Sequence, residues 1–166
     1  MTRRSRAREV ALQLLFQRDL NADVPRKAIE QFTRDRLGVR RDETGRIRPE
    51  EAAAYEFCLG LYDGVVEVLK TLDARISAAS ENWKLHRMAA SDRNVLRLGA
   101  YELVHAKEPT PAAVALDEAI ELARRYGSKD SPSFVNGVLD KVFRVYTEEK
   151  AKAAPSAPVA VAETVG

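Results

Sequence analysis

The chain has 166 residues, 45% of them hydrophobic and 31% charged, and its 27 basic and 25 acidic side chains leave a net charge of +2. That is apolar material for one ordinary globular domain or two very small ones, at roughly 100 to 150 residues per domain; it excludes disorder throughout, and near-neutrality removes overall basicity as an argument for a nucleic-acid partner. No apolar stretch approaches the roughly 20 residues of a membrane span, no apolar run follows the arginines of MTRRSRAREV, and Cys58 is the only cysteine, so a cytoplasmic protein with no membrane segment and no internal disulfide is expected.

The charge is unevenly placed. Residues 1–48 carry 13 basic and 7 acidic side chains, residues 49–166 carry 14 and 18, so the positive end is local, as an RNA-facing edge would be. Spacings of three and four dominate the apolar pattern, which predicts an all-helical fold. A first helix over about Arg3 to Leu20 carries Ala7, Val10, Ala11, Leu14 and Leu15 on one side, with Leu12 and Phe16 extending that side round the cylinder. Asn21 to Val24 reads as a turn, and Pro25 suits the first turn of a second helix to about Leu37. Gly38 to Glu51 has no apolar period and is expected to be an exposed connection. One long third helix, about Pro49 to Ser77, follows, with Gly60 and Gly64 permitting close helix approach.

Ser80 to Met88 is a short amphipathic link bearing the only tryptophan, Trp83. A central helix then opens with Ser91 as N-cap and Asp92 in the first turn. Another helix starts at Pro111 and ends at Gly127. The last helix begins in the SKDSPS turn, with Asp130 or Ser131 as N-cap and Pro132 near its first position, and runs to about Tyr146. This gives about seven helices in two small packed subdomains, about 1–78 and 79–146, and a disordered tail over 147–166.

Three stretches carry a family resemblance: RRSRAREVALQLLFQRDL at the start, SDRNVLRLGAYEL over Ser91 to Leu103, and DEAIELARRYGSKDSPSFVNGVLDKV over Asp117 to Val142. Over about residues 3–145 the chain resembles the NusB family of bacterial transcription antitermination factors. The resemblance implies a helical protein that binds the boxA element of ribosomal RNA leaders together with NusE, a small-subunit ribosomal protein. The complex then joins elongating RNA polymerase and suppresses premature termination. Some members self-associate through the same surfaces, which keeps a homodimer open.

Two RNA-facing elements follow. Arg3, Arg4, Arg6 and Arg8 fall within six residues at a flexible chain end, where guanidinium groups can reach phosphates or stack on unpaired bases; the competing reading is a solvated terminus that aids solubility. The second element is the turn of Tyr126, Gly127, Lys129, Asp130, Ser131 and Phe134, where Gly127 lets the backbone turn tightly, the start of the last helix can meet a phosphate and the two aromatics flank the turn for base stacking. Against this, Asp130 serves equally as a cap and Tyr126 as a core residue. A carboxylate at Asp130 weakens phosphate attraction. For NusE the resemblance points to Phe16 as an apolar contact and to Asp92 with Arg93 as charged contacts, while ordinary packing and a first-turn acid account for the same residues.

No catalytic residue, metal site or cofactor is expected: no Gly-rich phosphate loop or serine elbow occurs, and His86 and His105, the only histidines, have no nucleophile at a motif spacing. The alternatives are the RNA-binding module of a ribosomal RNA cytosine-5 methyltransferase, which would need a cofactor domain and catalytic cysteines elsewhere, and a structural helical adaptor without RNA contact.

Overall fold

The computed structural model describes residues 1–81, 83–108 and 110–154 and builds them from seven helices. These are α1 (Arg3–Leu20), α2 (Arg26–Leu37), α3 (Pro49–Glu67), α4 (Leu69–Ala79), α5 (Ala90–Val104), α6 (Ala112–Tyr126) and α7 (Ser131–Ala153), with one turn of 3-10 helix at Leu85–Arg87. Among the described residues the only extended pairing is an isolated bridge between Arg41 and Ile47.

The apolar side of α1 decides the first half of the packing. Ala7, Val10, Ala11 and Leu12 are fully buried; α1 lies along α3, and α2 packs on both. In the second half α5, α6 and α7 pack on one another, α4 packs on α5 and α7, and α1 and α3 also meet α5. The central helix α5 accordingly buries Val95, Leu96, Leu98, Ala100 and Leu103, each large aliphatic side chain contributing about 1.5–3 kcal/mol on removal from water. One apolar cluster runs through both halves.

Polar groups join the halves as well. The Arg97 guanidinium holds Asp73 of α4 through two hydrogen bonds of 2.8 and 2.9 Å and reaches Asp19 of α1 at 3.4 Å. The buried Asn94 amide donates to the same Asp19 at 2.7 Å. The end of α1 is thereby fixed to the start of α5.

Several expectations need correction. The single helix over Pro49–Ser77 is broken at Val68 (φ −110°, ψ 24°). Neither glycine nor proline stands there. The change of direction is tertiary: α4 turns Leu72 and Ile76, both fully buried, toward α5 and α7. Of the two glycines, only Gly64 permits a close approach, since a Cβ there would overlap the Tyr101 ring, whereas nothing lies near Gly60. The N-cap of α5 is Ala89, without a side-chain bond, rather than Ser91. Pro25 and Pro111 sit at the N-cap positions of α2 and α6, one residue before the first helical turn.

The expected tail over 147–166 begins too early. Helix α7 continues to Ala153, held by the Arg75–Glu149 ion pair at 2.9 Å and by Arg75 and Lys150 flanking the Tyr146 ring. These are charged contacts, which an apolar period does not report. Residues 155–166 lie outside the described residues.

The Gly38–Glu51 connection is exposed but ordered. The Asp42 carboxylate accepts from the Thr44 hydroxyl (2.5 Å) and from the amides of Thr44 (2.8 Å) and Arg46 (2.9 Å), which holds its pKa below the usual carboxylate range. Gly38 (φ 66°) and Gly45 (φ 80°) supply the two left-handed residues of this segment.

Cys58 of α3 is fully buried, and burial, reinforced by Asp63, pushes its thiol up to about 12. Only the thiolate reacts with alkylating reagents. The native protein should therefore resist iodoacetamide at mildly alkaline pH and take up one equivalent once unfolded in guanidinium, read by intact mass; rapid native labelling would contradict this burial.

Candidate nucleic-acid interface

The four N-terminal arginines do not form one flexible cluster. Helix α1 begins at Arg3, capped by the Thr2 hydroxyl, which accepts from the Ser5 amide at 2.9 Å. Arg3 and Arg4 are exposed, and the Arg4 guanidinium lies 4.6 Å from the centre of the Phe57 ring. Arg6 is half-buried and donates to Glu9 at 2.6 Å. Arg8 is 2% exposed. Its Nε and Nη2 clasp the Glu102 carboxylate of α5 at 2.8–3.0 Å, and Thr110 donates to the same carboxylate at 3.1 Å. A guanidinium enclosed in this way has no face for a phosphate, so Arg8 is a structural residue. The helical period that carries Arg3 outward carries Arg8 inward.

The turn between α6 and α7 is the second element. Ser128, Lys129 and Asp130 are exposed, while Ser131 is buried. Asp130 occupies the N-cap position but makes no side-chain cap bond; instead the Ser131 hydroxyl accepts from the Ser128 amide at 2.9 Å and folds the turn onto itself. Gly127 is extended (φ −97°, ψ −168°) rather than left-handed. It is needed for space, because a Cβ would overlap the Ser131 side chain and lie 2.7 Å from the Ala123 carbonyl oxygen.

Tyr126 and Phe134 do not flank the turn as a pair. The Tyr126 ring packs against Phe16 of α1 (centroids 6.1 Å apart), and its hydroxyl accepts from the Gln13 amide at 3.2 Å; burial pushes the phenol pKa up. Phe134 packs instead against Trp83 at 6.3 Å in an edge-on arrangement. Glu9 ties the two elements together, holding Arg6 on one side and Arg125 of α6 at 2.9 Å on the other.

Of the residues expected to face a protein partner, Phe16 is half-buried against Tyr126; Leu20, one turn beyond it and outside that expectation, is 90% exposed. Leu20 was legible as an apolar residue at the spacing of Phe16, although its position at the helix end masked it. Arg93 pairs with Asp19 at 3.3 Å, and one Asp92 oxygen is buried without a hydrogen-bond partner among the described residues. Sequence reasoning also passed over Trp83, which is 57% exposed and lines a groove with Arg87, Met88, Asp92, Asp130 and Phe134.

Among the described residues no group of three or more His, Cys, Asp or Glu side chains could hold a metal ion, and no helix is long and apolar enough to cross a membrane.

The family model for the NusB family matches residues 5–144. The transcription antitermination protein NusB of Sorangium cellulosum is 46% identical over 142 residues, covering 86% of this chain and 92% of that protein. The corresponding protein of Elusimicrobium minutum is 40% identical over 142 residues, covering 86% and 94%. Among solved structures, T. maritima NusB superposes with a TM-score of 0.67 at 37% identity, covering 92% of this chain and 98% of that one. A chain from the crystal structure of antitermination factors NusB and NusE in complex with dsRNA superposes with a TM-score of 0.71 at 25% identity, covering 88% and 99%.

Proposed function

The chain belongs to the NusB family, and we propose from this that it is a cytoplasmic transcription antitermination factor that binds boxA-type single-stranded RNA together with NusE. It works by assembly and performs no chemistry: RNA, NusE and this chain form one body that joins the RNA polymerase antitermination complex. The observation that carries the reading is the match over residues 5–144, which takes in α1 from Ser5 onward and the α6–α7 turn. Arg3, Arg4, the outer side of Arg6, Lys129 and Phe134 supply the RNA surface, with Gly127 and Ser131 shaping the turn beneath it and Tyr126, at the end of α6, bracing it against Phe16 of α1. Arg8 is left out because its guanidinium is enclosed by Glu102. Phe16, Leu20, Asp92 and Arg93 form the NusE face. The antitermination reading is preferred to a methyltransferase module because the relatives matched at 46% and 40% identity are themselves antitermination proteins.

The test is fluorescence anisotropy of a labelled boxA-type RNA, with and without NusE, at two salt concentrations and against a scrambled RNA. Sequence-selective binding should tighten with NusE, and log affinity should fall by about 0.7 per phosphate contact per log unit of salt. Binding that is absent or indifferent to sequence with NusE present would remove the RNA role. In the same assay Asp130→Asn should bind RNA about two- to fivefold more tightly, because it removes a surface charge that repels phosphate while no cap bond depends on that carboxylate. Weaker binding by this variant would contradict the placement of the turn beside the backbone.

A further inference from the structure

We propose that the groove between the 3-10 turn and the start of α7 is a seat for one unpaired RNA base, stacked on Trp83. The inference rests on the RNA-binding reading and adds to it a binding residue and a segment that the α6–α7 turn alone does not include.

Trp83 is the exception in a chain that otherwise buries its aromatic rings at least partly: 57% of its surface meets solvent. An exposed indole of this kind leaves stacking surface unused. It is nonetheless held in place. Its backbone amide donates to the Ser80 carbonyl at 2.9 Å, and the buried Ser80 hydroxyl lies 2.7 Å from the Ile76 carbonyl and 3.2 Å from the Trp83 carbonyl. The Phe134 ring braces the indole from α7 at 6.3 Å. The surface is therefore presented by anchored backbone, which lowers the ordering cost of binding.

The surrounding charge selects the ligand class. Lys84, His86 and Arg87 follow Trp83 within four residues and are all exposed, an interleaving of aromatic and basic groups that suits a base and its backbone together. Lys129 lies in the exposed turn that leads into the Asp130 and Phe134 wall. Of the acids nearby, Glu81 is paired with Lys141, whereas Asp92 and Asp130 line the groove itself beside Arg87, so the seat accepts a base edge there and leaves the phosphates to the exposed basic residues around it. The groove encloses about 370 Å³, with Met88 and Ala89 in its wall, a size within the range of small-ligand sites.

Trp83 is the only tryptophan, so its own emission reports the site. Full-length protein is titrated with single-stranded boxA-type RNA in the presence of NusE, following intrinsic fluorescence and acrylamide accessibility alongside anisotropy of the labelled RNA. The proposal expects quenching and acrylamide protection of Trp83 on the same binding curve, a five- to hundredfold loss of RNA affinity for Trp83→Ala, in line with the cost of one lost base stack, and recovery of most of that loss in Trp83→Phe. RNA binding with unchanged emission and with Trp83→Ala within twofold of the parent would overturn the base seat while leaving the proposed function standing. If emission responds to NusE alone and Trp83→Ala weakens only NusE binding, the groove is a protein contact and the proposal is wrong. Failure of the RNA to bind at all removes both readings. Should Trp83→Ala lose its helical circular dichroism, the quenching and protection of the parent protein decide the matter without it.

Discussion

Arg8→Ala is expected to lower the free energy of unfolding by about 3–5 kcal/mol, the range found when one member of a buried ion pair is removed. The Arg8 and Glu102 side chains are 3% and 2% exposed. Truncating the arginine strands the Glu102 carboxylate with, among the described residues, only the Thr110 hydroxyl as side-chain donor, and Glu118, which lies 3.7 Å from the Arg8 guanidinium, loses a neighbour as well. Deleting both charges together is a different case, because no unpaired ion remains: Arg8→Met with Glu102→Leu should recover most of the loss. Urea unfolding followed by circular dichroism reads both. A change below about 1 kcal/mol for Arg8→Ala would mean that water reaches the pair. The same variant separates structure from binding. If Arg8 touched RNA, affinity measured under conditions where the variant is folded would fall with the salt slope, whereas a structural role leaves the affinity of the folded fraction unchanged.

This contrast shows where sequence reasoning reaches its limit. Helices, turns and most of the core follow from periods of three and four, and α1 spans Arg3 to Leu20 as its apolar pattern implies. Four arginines within six residues look equivalent as letters, yet Arg3 and Arg4 stand in the exposed first turn of α1, while Arg8, one turn on from Arg4 and over the same Phe57 ring, is buried against a glutamate 94 positions away. No local pattern encodes that partner. The break at Val68 and the extension of α7 past Tyr146 have the same origin, since packing on α5 and charged contacts with Arg75 decide them. Gly127 was legible as a helix end, but its reason was not. The residue is extended, and what it provides is room for Ser131. Trp83 stands out in the sequence as the only tryptophan but has no site role there, because its link segment has little regular structure to set a period and only the fold brings it to Phe134.

The tight meeting of α5, α6 and α7 should behave as a complementary pair of volumes. Gly99 of α5 has no Cβ because the space is taken: a methyl there would lie 2.6 Å from Leu139 Cδ1 and 3.3 Å from the Ala119 Cβ. Leu139 is itself fully buried and has nowhere to swing. Leu139→Ala is therefore expected to cost about 2–5 kcal/mol, from lost burial and the cavity left behind. Gly99→Ala alone should destabilise through overpacking, typically about 1–3 kcal/mol, offset in part by the better helix propensity of alanine, about 1 kcal/mol. In the double variant the new methyl enters the space vacated by the leucine, so the clash disappears, part of the cavity is filled and the propensity gain remains. Its stability loss should be smaller than the sum of the single losses by about 1 kcal/mol or more, measured as a double-mutant cycle in urea. Losses that add within about 0.5 kcal/mol, as they do at independent sites, would mean that α5 and α7 relax apart around the substitution.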